Sequence, residues 1–142
     1  MIPARMTVVT LGAHDMPTMR AFYRSLGWRE ASGSDEHSMF DTGGGIVALF
    51  PSQDLADDAN VAHSAPAEFP NFTLAINLES REAVDAAFKT LRDLNVSVTK
   101  EPGDTFWGGY SGYFADPEGN LWEIVWGPTF RFDERGALIL ND

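Results

Sequence analysis

Glu123 stands alone as a charged residue in the apolar run Leu121 to Trp126, LWEIVW. A carboxylate among such neighbours can accept an N–H or O–H from a ligand, or take a proton as a general base. If the run is a strand, Leu121, Glu123 and Val125 share one face, and Trp122, Ile124 and Trp126 share the other. Upstream lies an aromatic group, Phe106, Trp107, Tyr110 and Tyr113. Much of it reads as ordinary packing, but Trp107-Gly108-Gly109-Tyr110 sets two large rings beside two glycines. That arrangement suits a rim on which a flat ligand stacks. The histidines His14, His37 and His63 do not share the spacing of a metal site. Asp54, Asp57 and Asp58 lack the tight pattern of a calcium loop and read as solvated surface. There is no cysteine, which excludes thiol and disulfide chemistry.

The elements that must position Glu123 follow from pattern. Thr7 to Ala13 reads as a first strand with Val8, Thr10 and Gly12 on one face. Asp15 is the expected cap of a helix with Pro17 in its first turn, an apolar stripe of Met19, Phe22, Tyr23 and Leu26, and a stop at Gly27. Trp28 to Ala31 is expected as a second strand. Ser38 to Asp41 and Ile46 to Phe50 form a hairpin around Thr42-Gly43-Gly44-Gly45. Residues 51–70, rich in Asp, Ala, Ser and Pro, read as a linking loop of the kind that acts as a lid.

The pattern then restarts. Phe72 to Leu78 is a strand, Ser80 caps a helix striped by Val84, Ala87, Phe88, Leu91 and Leu94, and Val96 to Thr99 is a strand. Asp116-Pro117-Glu118-Gly119 turns the chain into the LWEIVW strand. An offset of 65, the difference between Phe88 and Tyr23, also pairs Leu11 with Ile76, Ala13 with Leu78 and Leu26 with Leu91. The chain therefore reads as an internal repeat: a first module at about 6–50, the linking loop 51–70, a second module at about 71–126, and a tail at 127–142. That tail holds a second turn, Asp133 to Gly136, and an apolar end, Leu138, Ile139 and Leu140.

With 142 residues, 44% of them apolar, the chain is long enough for a single domain with a substantial core. Its formal net charge of -11, without a basic run, argues against nucleic acid or an anionic membrane surface as partner. No apolar run is long enough to span a bilayer, and the N-terminus has no secretory pattern. The expected location is the cytoplasm.

Two stretches, TLGAHDMPTMRAFYRSLGW and GYFADPEGNLWEIVW, resemble the vicinal oxygen chelate superfamily of glyoxalases, bleomycin- and fosfomycin-resistance proteins and extradiol dioxygenases. The resemblance runs from Met6 to Pro128. It implies an α+β fold of two βαβββ modules whose mixed sheet curls around a cleft, with helices outside, and it implies a homodimer. It also implies four cleft positions that hold a divalent metal in the enzymes of the family, here Val8, Ala48, Thr73 and Glu123. Only Glu123 is a strong donor, so neither a metal nor another cofactor is expected.

The expected function is binding of a small, partly apolar or aromatic molecule in the cleft, with metal-free acid/base chemistry by Glu123 open to it. Thr10, Thr73 and Asn77 are the expected polar contacts, and Phe50, Trp107 and Tyr110 the aromatic ones. The rival readings are a metal-dependent lyase or dioxygenase of the same superfamily, and a sequestering resistance protein without chemistry.

Overall fold

The computed structural model describes residues 1–65 and 68–140. Residues 66 and 67 of the expected linking loop, and residues 141 and 142 of the expected tail, lie outside the described residues. The chain divides into two compact units, Met1–Pro66 and Ala67–Asp142.

The first unit contains β1 (Val8–Ala13), α1 (Met16–Ser25), β2 (Glu30–Gly33), β3 (Ser38–Asp41), β4 (Ile46–Pro51) and α2 (Ser52–Asp58). Its sheet has the order β1-β4-β3-β2, with β1 parallel to β4 and the other pairs antiparallel. The Asp15 carboxylate accepts from the Thr18 backbone N–H at 3.1 Å and from its hydroxyl at 2.7 Å, which fixes the start of α1. Gly27, at φ 85°, takes the left-handed turn that ends it. Met16, Met19 and Tyr23 are the buried side of α1.

The second strand starts two residues later than expected. Trp28 stacks on Tyr23 with ring centres 5.5 Å apart, so the chain enters the sheet only at Glu30. The Glu30 side chain, 12% exposed, accepts from Arg20 Nε at 2.7 Å and Ser38 Oγ at 2.7 Å, with Arg24 at 3.3 Å. The Arg20 hydrogen bond, aided by Ser38 and the charges of both arginines, outweighs burial and holds the Glu30 carboxyl below its ordinary range.

Residues 52–58 form a helix where a loop was expected. A two-turn helix is too short to display a period. Its end is nevertheless well made: Asn60 adopts φ 57°, its N–H donates to Asp57 O, and the Val61 N–H donates to Ala56 O. This is the double hydrogen bond of a left-handed helix terminus.

The second unit contains β5 (Leu74–Leu78), α3 (Arg81–Asp93), β6 (Ser97–Asp104), β7 (Tyr110–Ala115), β8 (Leu121–Trp126), β9 (Arg131–Phe132) and β10 (Leu138–Ile139). The main sheet repeats the first unit's order as β5-β8-β7-β6, again with one parallel pair, β5 and β8. Val84, Phe88 and Leu91 are the buried side of α3. Leu94, expected in that stripe, is 40% exposed because it is the cap residue: Asn95 at φ 56° and the Val96 N–H to Leu91 O bond end the helix there. Two strand boundaries also move. β5 starts at Leu74, leaving Thr73 ahead of it, and β6 runs on to Asp104 through Pro102. Pro102 is tolerated because β6 is an edge strand and its pairing shifts register between Lys100 and Gly103.

The turn before β8 is as read from the sequence. Asp116 Oδ1 accepts from the Glu118 and Asn120 N–H groups, Oδ2 accepts from Asn120 Nδ2 at 2.7 Å, and Gly119 supplies φ 87°. β9 and β10 form a small hairpin around the expected Asp133–Gly136 turn.

Candidate functional site

The hairpin fixes what stands beside Glu123. The Asp116 turn pairs Ala115 with Leu121, so Tyr113 falls directly opposite Glu123 across β7 and β8. On its other side, Glu123 is opposite Ala75 of β5. Directly opposed residues share a face with Cβ atoms about 5 Å apart. Asn77 of β5 lies on that same face, opposite Val125. The other face carries Trp122, Ile124 and Trp126 and packs on α3.

The Tyr113 phenol and the Glu123 carboxyl are therefore cross-strand neighbours on this face. Burial first, then the charge and hydrogen-bonding pull of Glu123, push the Tyr113 phenol above its ordinary range. A carboxylate has about four lone-pair directions, which leaves Glu123 acceptor capacity for a ligand beside Tyr113. The pair thus presents a carboxylate beside a protonated phenol, flanked by Ala75, Asn77 and Val125.

The other expected contact residues do not all join it. Thr73 lies just before β5 and is exposed. Tyr110 falls on the α3 face: its hydroxyl donates to Asp85 Oδ1 at 2.6 Å, and Arg81 lies 5.1 Å above its ring and above that of Trp126. The Asp85 hydrogen bond, then burial, raise the Tyr110 phenol. Trp107 is 44% exposed and packs beside Phe130 at 6.0 Å, over Gly109 and Gly127. Tyr110 is therefore engaged by Asp85 and Arg81 on the α3 side of the sheet, away from Glu123, and Trp107 is engaged by Phe130. In the first unit, Thr10 is opposite Ala48, and Phe50 is opposite Gly12 with its ring 6.2 Å from His37. Thr10 and Phe50 share a face of their own sheet.

The sequence reading grouped Tyr113 with the rim and missed its partnership with Glu123. The signal was available: counting back from a four-residue turn assigns the pair. It also treated His14 and His63 as unrelated, whereas their ring centres lie 5.5 Å apart.

The repeat extends to register. Thr10 is opposite Ala48 and Ala75 is opposite Glu123, so Ala48 and Glu123 hold equivalent places in the two sheets. Val8, Ala48 and Thr73 give no strong donor, and among the described residues no group of three or more His, Cys, Asp or Glu is arranged to hold a metal ion. The donor set around Glu123 does not fit a catalytic metal, which needs about three protein ligands.

Residues 5–124 match the family model described as Glyoxalase/Bleomycin resistance protein/Dioxygenase superfamily. A glyoxalase-related enzyme from Fulvimarina pelagi is similar in structure, with a TM-score of 0.88 and 25% identity over 99% of this chain and 100% of that one. A glyoxalase/bleomycin resistance protein/dioxygenase from Nocardioides superposes with a TM-score of 0.75 at 27% identity, covering 89% of this chain and 85% of that one. A lactoylglutathione lyase from Agrobacterium tumefaciens shares the fold, with a TM-score of 0.70 and 23% identity over 88% of this chain and 95% of that one. No curated protein matches the sequence significantly.

Proposed function

The chain belongs to the Glyoxalase/Bleomycin resistance protein/Dioxygenase superfamily, and on that premise we propose that it binds a small, partly apolar or aromatic molecule at the sheet face carrying Glu123, without a metal. The observation that carries this reading is the direct opposition of Tyr113 and Glu123 on the face away from α3, where burial and the Glu123 charge raise the phenol. Tyr113 stands beside the carboxylate and keeps its own proton. Glu123 then accepts an N–H or O–H of the ligand, and Asn77 offers a further donor and acceptor. A ligand proton of suitable acidity passes to Glu123, which makes acid/base turnover the chemistry open to the site.

The metal-dependent reading finds no support in the donors, since Glu123 is the only strong one among the four family positions. The remaining parts of the proposal are a homodimer, supported by the exposed Leu138, Ile139 and Leu140, and a cytoplasmic location with neither nucleic acid nor membrane as partner, supported by the charge of -11. Among the described residues no helix is long and apolar enough to cross a membrane. The test of the binding site is titration of the protein and its Glu123→Gln variant with phenol, indole and benzamide, followed by backbone amide NMR.

A further inference from the structure

We propose that His14 and His63 form a two-imidazole site for a borderline transition-metal ion, Cu(II) foremost, on the first unit and apart from Glu123. The two residues are far apart in sequence, yet β1 and α2 bring them together. Strand β1 delivers His14 just beyond Ala13, and α2 with its left-handed terminus at Asn60 returns the chain so that His63 faces it. A Cβ placed on Gly12 would meet Leu55 Cδ2 and Ser52 Cα at 3.4 Å, so α2 packs closely on the end of β1. The His14 and His63 ring centres are 5.5 Å apart with their planes tilted by 45°. Two imidazoles on one ion, with metal–nitrogen bonds of about 2.0 Å, have ring centres about 4.5 Å apart in adjacent positions of a square plane and about 5 Å apart on a tetrahedron. The pair needs only a small adjustment to reach either spacing.

A second observation marks the pair as more than two neighbouring rings. His63 Nε2 lies 3.0 Å from Ser52 Oγ. Metal-bound histidines commonly engage their second nitrogen in a hydrogen bond that fixes ring orientation and tautomer. With Nε2 on Ser52, Nδ1 is the ligating atom of His63. His63 and Ser52 also line an open groove of about 240 Å³ with Leu55, Ala56 and Val61. An ion held by two imidazoles keeps further positions for water or for a donor atom of a molecule lying in that groove. Imidazole donors suit copper, nickel and zinc, and copper binds most tightly in that series.

The test is titration of the full-length, untagged, metal-stripped protein with Cu(II), read by calorimetry and by electron paramagnetic resonance. The expected result is one equivalent bound with two nitrogen couplings. In His14→Asn and His63→Asn one coupling is lost and affinity falls by at least about 10-fold, while His37→Asn and Glu123→Gln match wild type. Thermal melts of each variant confirm that the fold is kept. Unchanged affinity and couplings in both His14→Asn and His63→Asn, or an equal loss in His37→Asn, would overturn the proposal.

Discussion

Tyr113 and Glu123 face one another across the β7–β8 ladder, where burial and the Glu123 charge favour the neutral phenol. The Asp116–Gly119 turn sets the register that creates this pair. It gives the sheet face away from α3 a defined polar centre, with Ala75 and Val125 beside it.

The pair predicts a linked titration. Tyr113 should ionise at higher pH than an ordinary tyrosine, because burial and the charge and hydrogen-bonding pull of Glu123 all favour the neutral phenol. In Glu123→Gln the charge is gone while burial remains. Ionisation should then move down towards the ordinary range without reaching it. Ultraviolet difference titration of wild type, Glu123→Gln and Tyr113→Phe separates this tyrosine from the others. An unchanged phenol titration in Glu123→Gln would show that the pair is not formed in solution.

Glu30 predicts acid sensitivity of the first unit. Its folded-state carboxyl is lowered, so its contribution to stability is fully present above the unfolded value of 4.5 and is lost as pH falls through the lower folded value. Glu30→Gln should cost on the order of 2 kcal/mol at neutral pH, as expected for a charge-assisted hydrogen bond. It should also flatten the fall in stability below about pH 4.5, where wild type loses the same contribution. Urea melts at several pH values measure both. Parallel pH profiles for wild type and Glu30→Gln would mean that Arg20 and Ser38 do not stabilise the charged form.

The donor set predicts that protein purified without an affinity tag holds no stoichiometric zinc, nickel, manganese or iron that depends on Glu123. Elemental analysis of wild type and Glu123→Gln decides this. One equivalent of metal in wild type that disappears in Glu123→Gln would favour the metal-dependent lyase or dioxygenase reading. Metal lost only on His14→Asn and His63→Asn would belong to the other site.

Much of the fold was legible because its signals are local. Asp15, Ser80, Gly27 and Gly119 are caps and turns whose chemistry acts within a few residues, and each is found in its expected role. The repeat was legible because the two βαβββ units carry the same pattern at a fixed offset. The departures have tertiary causes. Trp28 leaves the strand to stack on Tyr23, and Leu94 leaves the stripe because Asn95 ends the helix one residue beyond it. Helix α2 escaped notice because two turns anchored on Leu55 show no period. At the site, Glu123 stood out by chemistry alone. Composition read Tyr110 and Trp107 as a ligand rim and does not reveal that Asp85, Arg81 and Phe130 contact them.

The apolar C-terminal end predicts association. Leu140 is 82% exposed, with Leu138 and Ile139 at 37% and 41% beside it on β10. Multi-angle light scattering at micromolar concentration should return twice the 15.6 kDa chain mass. Leu140→Asp should shift that mass towards the monomer. A monomer mass for wild type would rule the homodimer out.

The most direct measurement is the response of backbone amides to phenol, indole and benzamide in wild type, Glu123→Gln and Tyr113→Phe. The account predicts that at least one probe perturbs Asn77, Tyr113, Glu123 and Val125 together in wild type. It predicts that binding weakens by about 10-fold in Glu123→Gln, equivalent to the loss of one hydrogen bond to a charged acceptor, and by less in Tyr113→Phe. Perturbations confined to other parts of the chain, or equal affinity in wild type and Glu123→Gln, would contradict the assignment of Glu123 as the centre of the site.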